Sequence, residues 1–262
     1  MAKVFPRFET VLLLTLIMGG CSRAEPLVVT AHRGASYVAP ENTLAAMAAA
    51  VEAGAEFAEL DVGLTRDGQV VLMHDRTVDR TTNGTGDLGD HSIPELRALE
   101  AGSWFGEEFE GEPIPTLREV IQFAKGQLKL NIEIKTSREE PAIAAAVVDI
   151  IRSEDFGEDC MVTSFSRETI EEVKLIAPEL RTGFIFGEDY PEDVFEGGWD
   201  LLSANHGVVD SVFVARAKQG GKSVHVWTVD ERELMLRLIG LGVDGIISNR
   251  PALLLEVMAE EK

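Results

Sequence analysis

Residues 57–65 read FAELDVGLT, an apolar run interrupted by two acids one residue apart, Glu59 and Asp61. Side chains alternate faces along a strand, so both carboxylates project to one side and Leu60 to the other. Two like charges side by side in an apolar interior repel each other and lose hydration. Such a pair persists where a cation, a basic group or water compensates. A second stretch, LKLNIEIK at 128–135, repeats the anomaly: Glu133 and Lys135 share one face, Ile132 and Ile134 the other. Spacing alone decides little, since 45 acids in 262 residues place pairs two apart about eight times by chance. The strand context carries the reading. Three carboxylates with no cysteine among them suit a hard cation, Ca²⁺ or Mg²⁺.

Outward from these two strands, short apolar runs alternate with amphipathic stretches. The runs are Leu27–Gly34, Phe57–Thr65, Leu128–Lys135, Cys160–Phe165, Arg181–Gly187, Leu201–His206, Ser223–Val229 and Gly242–Ser248. Helical patterns fall at Thr43–Ala53, Thr116–Ala124, Glu139–Ser153, Arg167–Ala177, Ser211–Gln219 and Glu231–Gly240, with a last helix, Pro251–Glu260, opening on a first-turn proline. Eight strands in βα alternation predict a (β/α)₈ barrel over residues 27–262, an α/β fold in one domain; an open doubly wound sheet is the alternative. More than sixty residues separate the second and third strands, against roughly 20–25 for a plain helical connection. The excess forms an insertion over about 75–115, rich in Gly, Asp and Thr and carrying Trp104 and Phe105. In a barrel it would leave the C-terminal rim, where active sites of this fold lie.

The N-terminus predicts a targeting segment. Lys3 and Arg7 precede an apolar run from Val11 to Met18, too short to span a bilayer but suited to a signal peptide over 1–20. Gly19-Gly20-Cys21 resembles a bacterial lipobox, with Met18 where leucine is usual. It implies cleavage before Cys21, a lipid anchor on its thiol and a cell-envelope location; soluble export is the alternative. Cys160 then has no intrachain partner and is expected to be a buried, inert thiol. The formal charge of −21 argues against nucleic-acid partners and against an anionic membrane surface beyond that anchor. It also means an anionic substrate needs local positive charge. No oligomerisation signature is visible.

Reactive residue types gather at predicted strand ends. His32 and Arg33 close the first strand in VTAHRG, and His74 follows a hairpin-like return, RDGQVVLMH, turned by Asp67-Gly68. Arg33 reads either as a phosphate contact or as a pair for Glu59 or Glu41, and Asn42-Thr43 as a helix start. His91 is expected to be solvated and His225 to lie in the core. Trp227, on the face of His225, and Trp104 are candidates for packing on a substrate.

AHRG, PENT, ELDV, DGQVVLMHD, TTNGTGD, AGSWF, IPTLREV, NIEIK, WTVD and GVDGIISNRP follow one another over residues 28–253. In these motifs and their order the chain resembles the glycerophosphodiester phosphodiesterase family. Asn249 departs from it, standing where the family often has an acid. The resemblance implies a (β/α)₈ barrel with an insertion after the second strand, and hydrolysis of glycerophosphodiesters to glycerol 3-phosphate and an alcohol. It further implies Glu59, Asp61 and Glu133 as ligands of one divalent cation, His32 and His74 as the acid/base pair, and Arg33 and Lys135 as phosphate-binding cations. Glu41 and Trp227 would support them.

Overall fold

A computed structural model describes Met1, residues 26–135 and residues 142–260. Cys21 and all of the predicted signal segment except Met1 lie outside the described residues. The strands are β1 (Val28–Ala31), β2 (Phe57–Leu64), β3 (Val70–Leu72), β4 (Lys129–Ile134), β5 (Cys160–Ser164), β6 (Arg181–Phe186), β7 (Leu201–Asn205), β8 (Ser223–Trp227) and β9 (Gly245–Ser248). Eight of them run parallel in the order β1-β2-β4-β5-β6-β7-β8-β9, and β9 pairs back with β1, Thr30 lying opposite Ile247. That closure makes a barrel and excludes the open sheet. The short β3 stands outside the ring, antiparallel to β2 with Val71 opposite Gly63. Its turn places Gly68 at φ +74°, a conformation glycine adopts without cost.

The outward side chains of the wall, among them Leu60, Ile132, Val162, Leu202, Val226 and Ile246, are fully buried. They join one continuous core with helices α1 (Leu44–Ala53), α3 (Leu117–Ala124), α4 (Ile143–Ser153), α5 (Arg167–Ile176), α6 (Ser211–Gln219), α7 (Arg232–Leu241) and α8 (Pro251–Glu260). In α3, Leu117, Val120, Ile121 and Ala124 are buried at the i, i+3, i+4, i+7 spacing of one helix face. A reciprocal cap between Thr116 and Glu119 starts that helix. The strand read from Gly242 begins at Gly245 instead, because Gly242, at φ +72°, closes α7.

The inward faces are different in kind. Phe57, Met161 and Leu201 form an apolar floor at the N-terminal end. Above it lie buried polar side chains: Thr30, Glu59, Asn131, Thr163, Ser203 and His225. His225 is a core residue. Burial, reinforced by the charge of Arg181, holds its imidazole down at about 3, so it is neutral. Cys160 is a buried thiol that burial and Asp159 push up to about 12, which leaves it unreactive.

The insertion packs on a core of its own, built from Val71, Met73, Val78, Leu88, Leu96, Ala101 and Ile114, with one short α-helix, α2 (Ile93–Leu96), and 3₁₀ turns at Leu88–Asp90 and Glu107–Phe109. Trp104 braces this lobe: its Nε1 donates to the Ala101 carbonyl (2.9 Å), and its ring meets Phe105 edge-on. It does not line the barrel's cavity. His91 is half-buried rather than solvated, with Nδ1 donating to the Asp87 carbonyl at 2.8 Å.

Candidate active site

The C-terminal mouth of the barrel holds a cavity of about 120 Å³ lined by His32, Arg33, Glu59, His74, Glu133, Lys135, Phe165 and Trp227, among others. The three predicted carboxylates meet there. Glu59, Asp61 and Glu133 each offer an oxygen within 4.8 Å of the others, and all three are buried. Strand register is the cause, since β2 and β4 are parallel and Asp61 lies directly opposite Glu133.

The surroundings of this cluster are uneven. Asp61 accepts from Asn42 Nδ2 (2.8 Å) and lies 3.4 Å from Arg33 Nε and 3.5 Å from Lys135 Nζ. Burial works to raise its pKa, but Arg33, Lys135 and His74 outweigh it and hold the carboxyl below its usual range. Glu133 accepts from Lys135 Nζ at 2.6 Å, yet burial and the Asp61 charge push it up to about 7. Glu59 is raised well above the carboxylate range by burial first, then by Asp61 and Glu133. Its Oε2 accepts from the Arg33 backbone N–H (2.8 Å), while Oε1 is buried with no protein partner. An orphaned carboxylate oxygen aimed among two other carboxylates fits a hard cation. Charge points the same way. With all three carboxylates ionised, as ligands of a cation would be, they leave one net negative charge against Arg33 and Lys135; a divalent ion would turn it to one positive, matching a phosphodiester monoanion.

His32, Arg33 and Gly34 make a sharp turn out of β1. Arg33 sits at φ +54°, uncommon for a side-chain-bearing residue, and Gly34 at φ +79°. A Cβ on Gly34 would stand 2.6 Å from Ala46, so only glycine lets the turn press against α1. The turn aims the Arg33 side chain at both Asp61 and Glu41, with Nη1 donating to Glu41 at 2.8 Å. Of the two pairings read from the sequence, the guanidinium takes Glu41, together with Asp61 and a place in the cavity wall, while Glu59 takes the Arg33 backbone N–H instead.

Each imidazole has a fixed donor atom. His32 Nδ1 lies 2.7 Å from Asn249 Oδ1. The Asn249 amide is oriented by its own Nδ2, which donates to Asp230 Oδ2 at 2.6 Å. Its Oδ1 therefore only accepts, from both His32 and Ser36. His32 carries its proton on Nδ1, and Nε2 faces Glu59 at 3.9 Å. Burial and the Arg33 charge lower the His32 pKa against the opposing Asn249, Asp61 and Glu41. The departure at Asn249 thus supplies a closing contact with a neutral amide. His74 Nδ1 bonds Asp75 Oδ1 at 2.7 Å, and a carboxylate only accepts, so Nε2 is again the free atom. Arg80 clasps Asp75 and holds its carboxyl down at about 2.

Phe165 and Trp227 meet edge-on at 5.7 Å and form the apolar wall, with Trp227 Nε1 donating to the Ser203 carbonyl. Asn42, Asp75, Arg80, Asp230 and Phe165 join the site without having been marked out for it in the sequence. Asn42, Asp75 and Asp230 sit inside the PENT, DGQVVLMHD and WTVD motifs, which was the available signal.

Fold and mouth together define the class: a (β/α)₈-barrel hydrolase whose C-terminal end is arranged for an anionic ester. A profile of the Glycerophosphoryl diester phosphodiesterase family matches residues 32–253. A glycerophosphodiester phosphodiesterase of Caldanaerobacter subterraneus is 39% identical over 237 residues, 88% of this chain and 97% of its own length. An Oleispira antarctica phosphodiesterase, solved in complex with the product sn-glycerol-3-phosphate, superposes with a TM-score of 0.84 at 32% identity, covering 88% of this chain and 96% of that one. The glycerophosphodiester phosphodiesterase of Agrobacterium tumefaciens gives 0.79 at 30% identity, covering 88% and all of its chain. This chain belongs to the glycerophosphoryl diester phosphodiesterase family, and with it to the phosphoric diester hydrolases.

Proposed function

We propose that this enzyme hydrolyses glycerophosphodiesters to glycerol 3-phosphate and an alcohol with one divalent cation, Ca²⁺ or Mg²⁺, held by Glu59, Asp61 and Glu133. The observation that carries the reading is the buried cluster of three carboxylates, with one oxygen of Glu59 left without a partner. The cation, when bound, neutralises the non-bridging phosphate oxygens and so eases approach of a nucleophile to an anion. Arg33 and Lys135 share that task as fixed positive charges at the cavity wall.

His32 is suited to begin as base. It is neutral, with its lone pair on Nε2 beside Glu59. It takes the proton from the attacking hydroxyl, of water or of the glycerol C2, as the new P–O bond forms; on the C2 route the product of this step is a cyclic phosphate, which water then opens to glycerol 3-phosphate with the proton transfers reversed. His74 enters the step as imidazolium, its Nδ1–H tied to an ionised Asp75, and gives its Nε2 proton to the departing alkoxide as the old P–O bond breaks. Trp227 and Phe165 present an apolar face to the alcohol moiety. Glu41 holds Arg33 in place.

The site at the membrane is part of the same proposal. Residues 1–20 act as a signal peptide and lipidated Cys21 anchors the enzyme in the cell envelope; labelled palmitate recovered on wild type and lost in Cys21→Ser tests this. For the chemistry, protein beginning at Ser22 is assayed for glycerol 3-phosphate release from glycerophosphocholine. Release should stop in EDTA and return with Ca²⁺ or Mg²⁺. Unchanged release in EDTA contradicts the cation. Silence on choline, ethanolamine, glycerol and inositol diesters alike contradicts the substrate class.

A further inference from the structure

One guanidinium outside the reacting groups touches the carboxylates that hold both His74 and Arg33. Arg80 lies in the insertion, where its neighbours Val78 and Thr81 are buried. Its side chain makes two forks. Nε and Nη2 donate to the two oxygens of Asp75 (2.6 and 3.2 Å), and Nη1 and Nη2 donate to the two oxygens of Glu41 (2.9 and 2.8 Å). Asp75 in turn accepts from His74 Nδ1, and Glu41 accepts from Arg33 Nη1.

From this double fork we infer that Arg80 is a positioning residue that sets His74 through Asp75 and Arg33 through Glu41, and so registers the insertion against the catalytic mouth. Neither carboxylate has its orientation fixed otherwise by so many donors. Asp75 and His74 are both about 30% exposed, so solvent competes for each. A planar guanidinium can satisfy four oxygens at once; a lysine ammonium is a point charge and can bridge only one pair well. Arg80 is itself 44% exposed, so a small cation from solution can reach its place.

The inference rests on the reading of His74 as proton donor to the leaving group. Arg80→Ala should lower kcat on glycerophosphocholine by about 10- to 100-fold. The loss should be several-fold smaller on the p-nitrophenyl ester of glycerol 3-phosphate, whose leaving group needs no proton. Added guanidinium chloride at millimolar concentration should restore part of kcat in Arg80→Ala and none in wild type, and Arg80→Lys should fall between the two. An unchanged kcat overturns the inference, as does an equal loss on both esters without rescue. Imidazole ¹⁵N NMR of His74 reads the same positioning without turnover: a shifted tautomer balance in Arg80→Ala, or in Arg80→Lys if the alanine variant does not fold, supports it. Unchanged signals overturn it. A wild type inert toward both esters counts instead against the diesterase reading, and the NMR arm still decides the role of Arg80.

Discussion

His32 and His74 face one cavity but are held by opposite means. His32 leans on a neutral amide, Asn249, which is itself tied to Asp230. Asp230 also accepts from the Ser248 hydroxyl and the Asn249 backbone, so the whole support hangs on the closing strand β9. His74 leans on charges: Asp75, Arg80 and Glu41, all partly exposed and contributed by loops. The first arm keeps its imidazole neutral by burial. The second gives its imidazole a counter-ion and leaves it near solvent. The difference matches what a base and an acid need, and it teaches that a symmetric-looking pair of histidines can be given roles by what stands behind them.

The largest effect should come from removing the imidazoles. His32→Ala and His74→Ala should each lose about 10²- to 10⁴-fold in kcat on glycerophosphocholine. On the p-nitrophenyl ester the His74 variant should recover much of that loss and the His32 variant none. Equal behaviour on both esters would erase the distinction between the arms.

Changes to the supports should be milder and should differ in kind. Asn249→Ala should cost about 10- to 100-fold in kcat and also roughly 1–2 kcal/mol of stability, because it strips a partner from half-buried polar groups. Asp75→Asn should cost a similar factor in kcat but less than about 1 kcal/mol, since its ion pairs are exposed. Urea melts beside kinetics would check this; a stability loss as large in Asp75→Asn would blur the contrast.

How much of this was legible follows from the same contrast. Glu59, Asp61 and Glu133 stood out because a charge in an otherwise apolar, alternating strand has few explanations. The barrel was legible because most wall strands alternate with a helix whose apolar face repeats; only a 3₁₀ turn joins β6 to β7. Asp75, Asp230 and Arg80 did not stand out: acids are abundant in this chain, and their partners, such as Glu41 for Arg80, come close only on folding. Asn42 reads as a helix start in PENT, yet it clasps Asp61 twice, through Nδ2 to the carboxylate and through Oδ1 from the backbone N–H. β3, only three residues long, was legible as the hairpin return because Asp67-Gly68 marks its turn.

The smallest expected effect concerns the metal-free protein. Glu133 has its pKa raised by burial and Asp61 to about 7, so the folded state binds more protons than the unfolded one between about 4.5 and 7. Its contribution to stability is full below the unfolded pKa and is lost as pH rises through the folded one. His32 and His225, with lowered pKa values, work in the opposite direction. The Glu133 part is therefore read as a difference. From pH 5 to pH 8, chelated wild type should lose on the order of 5 °C in Tm relative to Glu133→Gln, and a saturating divalent cation should remove the gap.

The most direct test titrates metal-free protein with Ca²⁺, and with Mg²⁺ in parallel, by calorimetry while following glycerol 3-phosphate release at each step. One ion per chain is expected, with turnover that rises with occupancy and loss of both in Glu59→Gln. Full turnover with no ion bound, or tight binding that survives in Glu59→Gln, would contradict a catalytic cation held by this cluster.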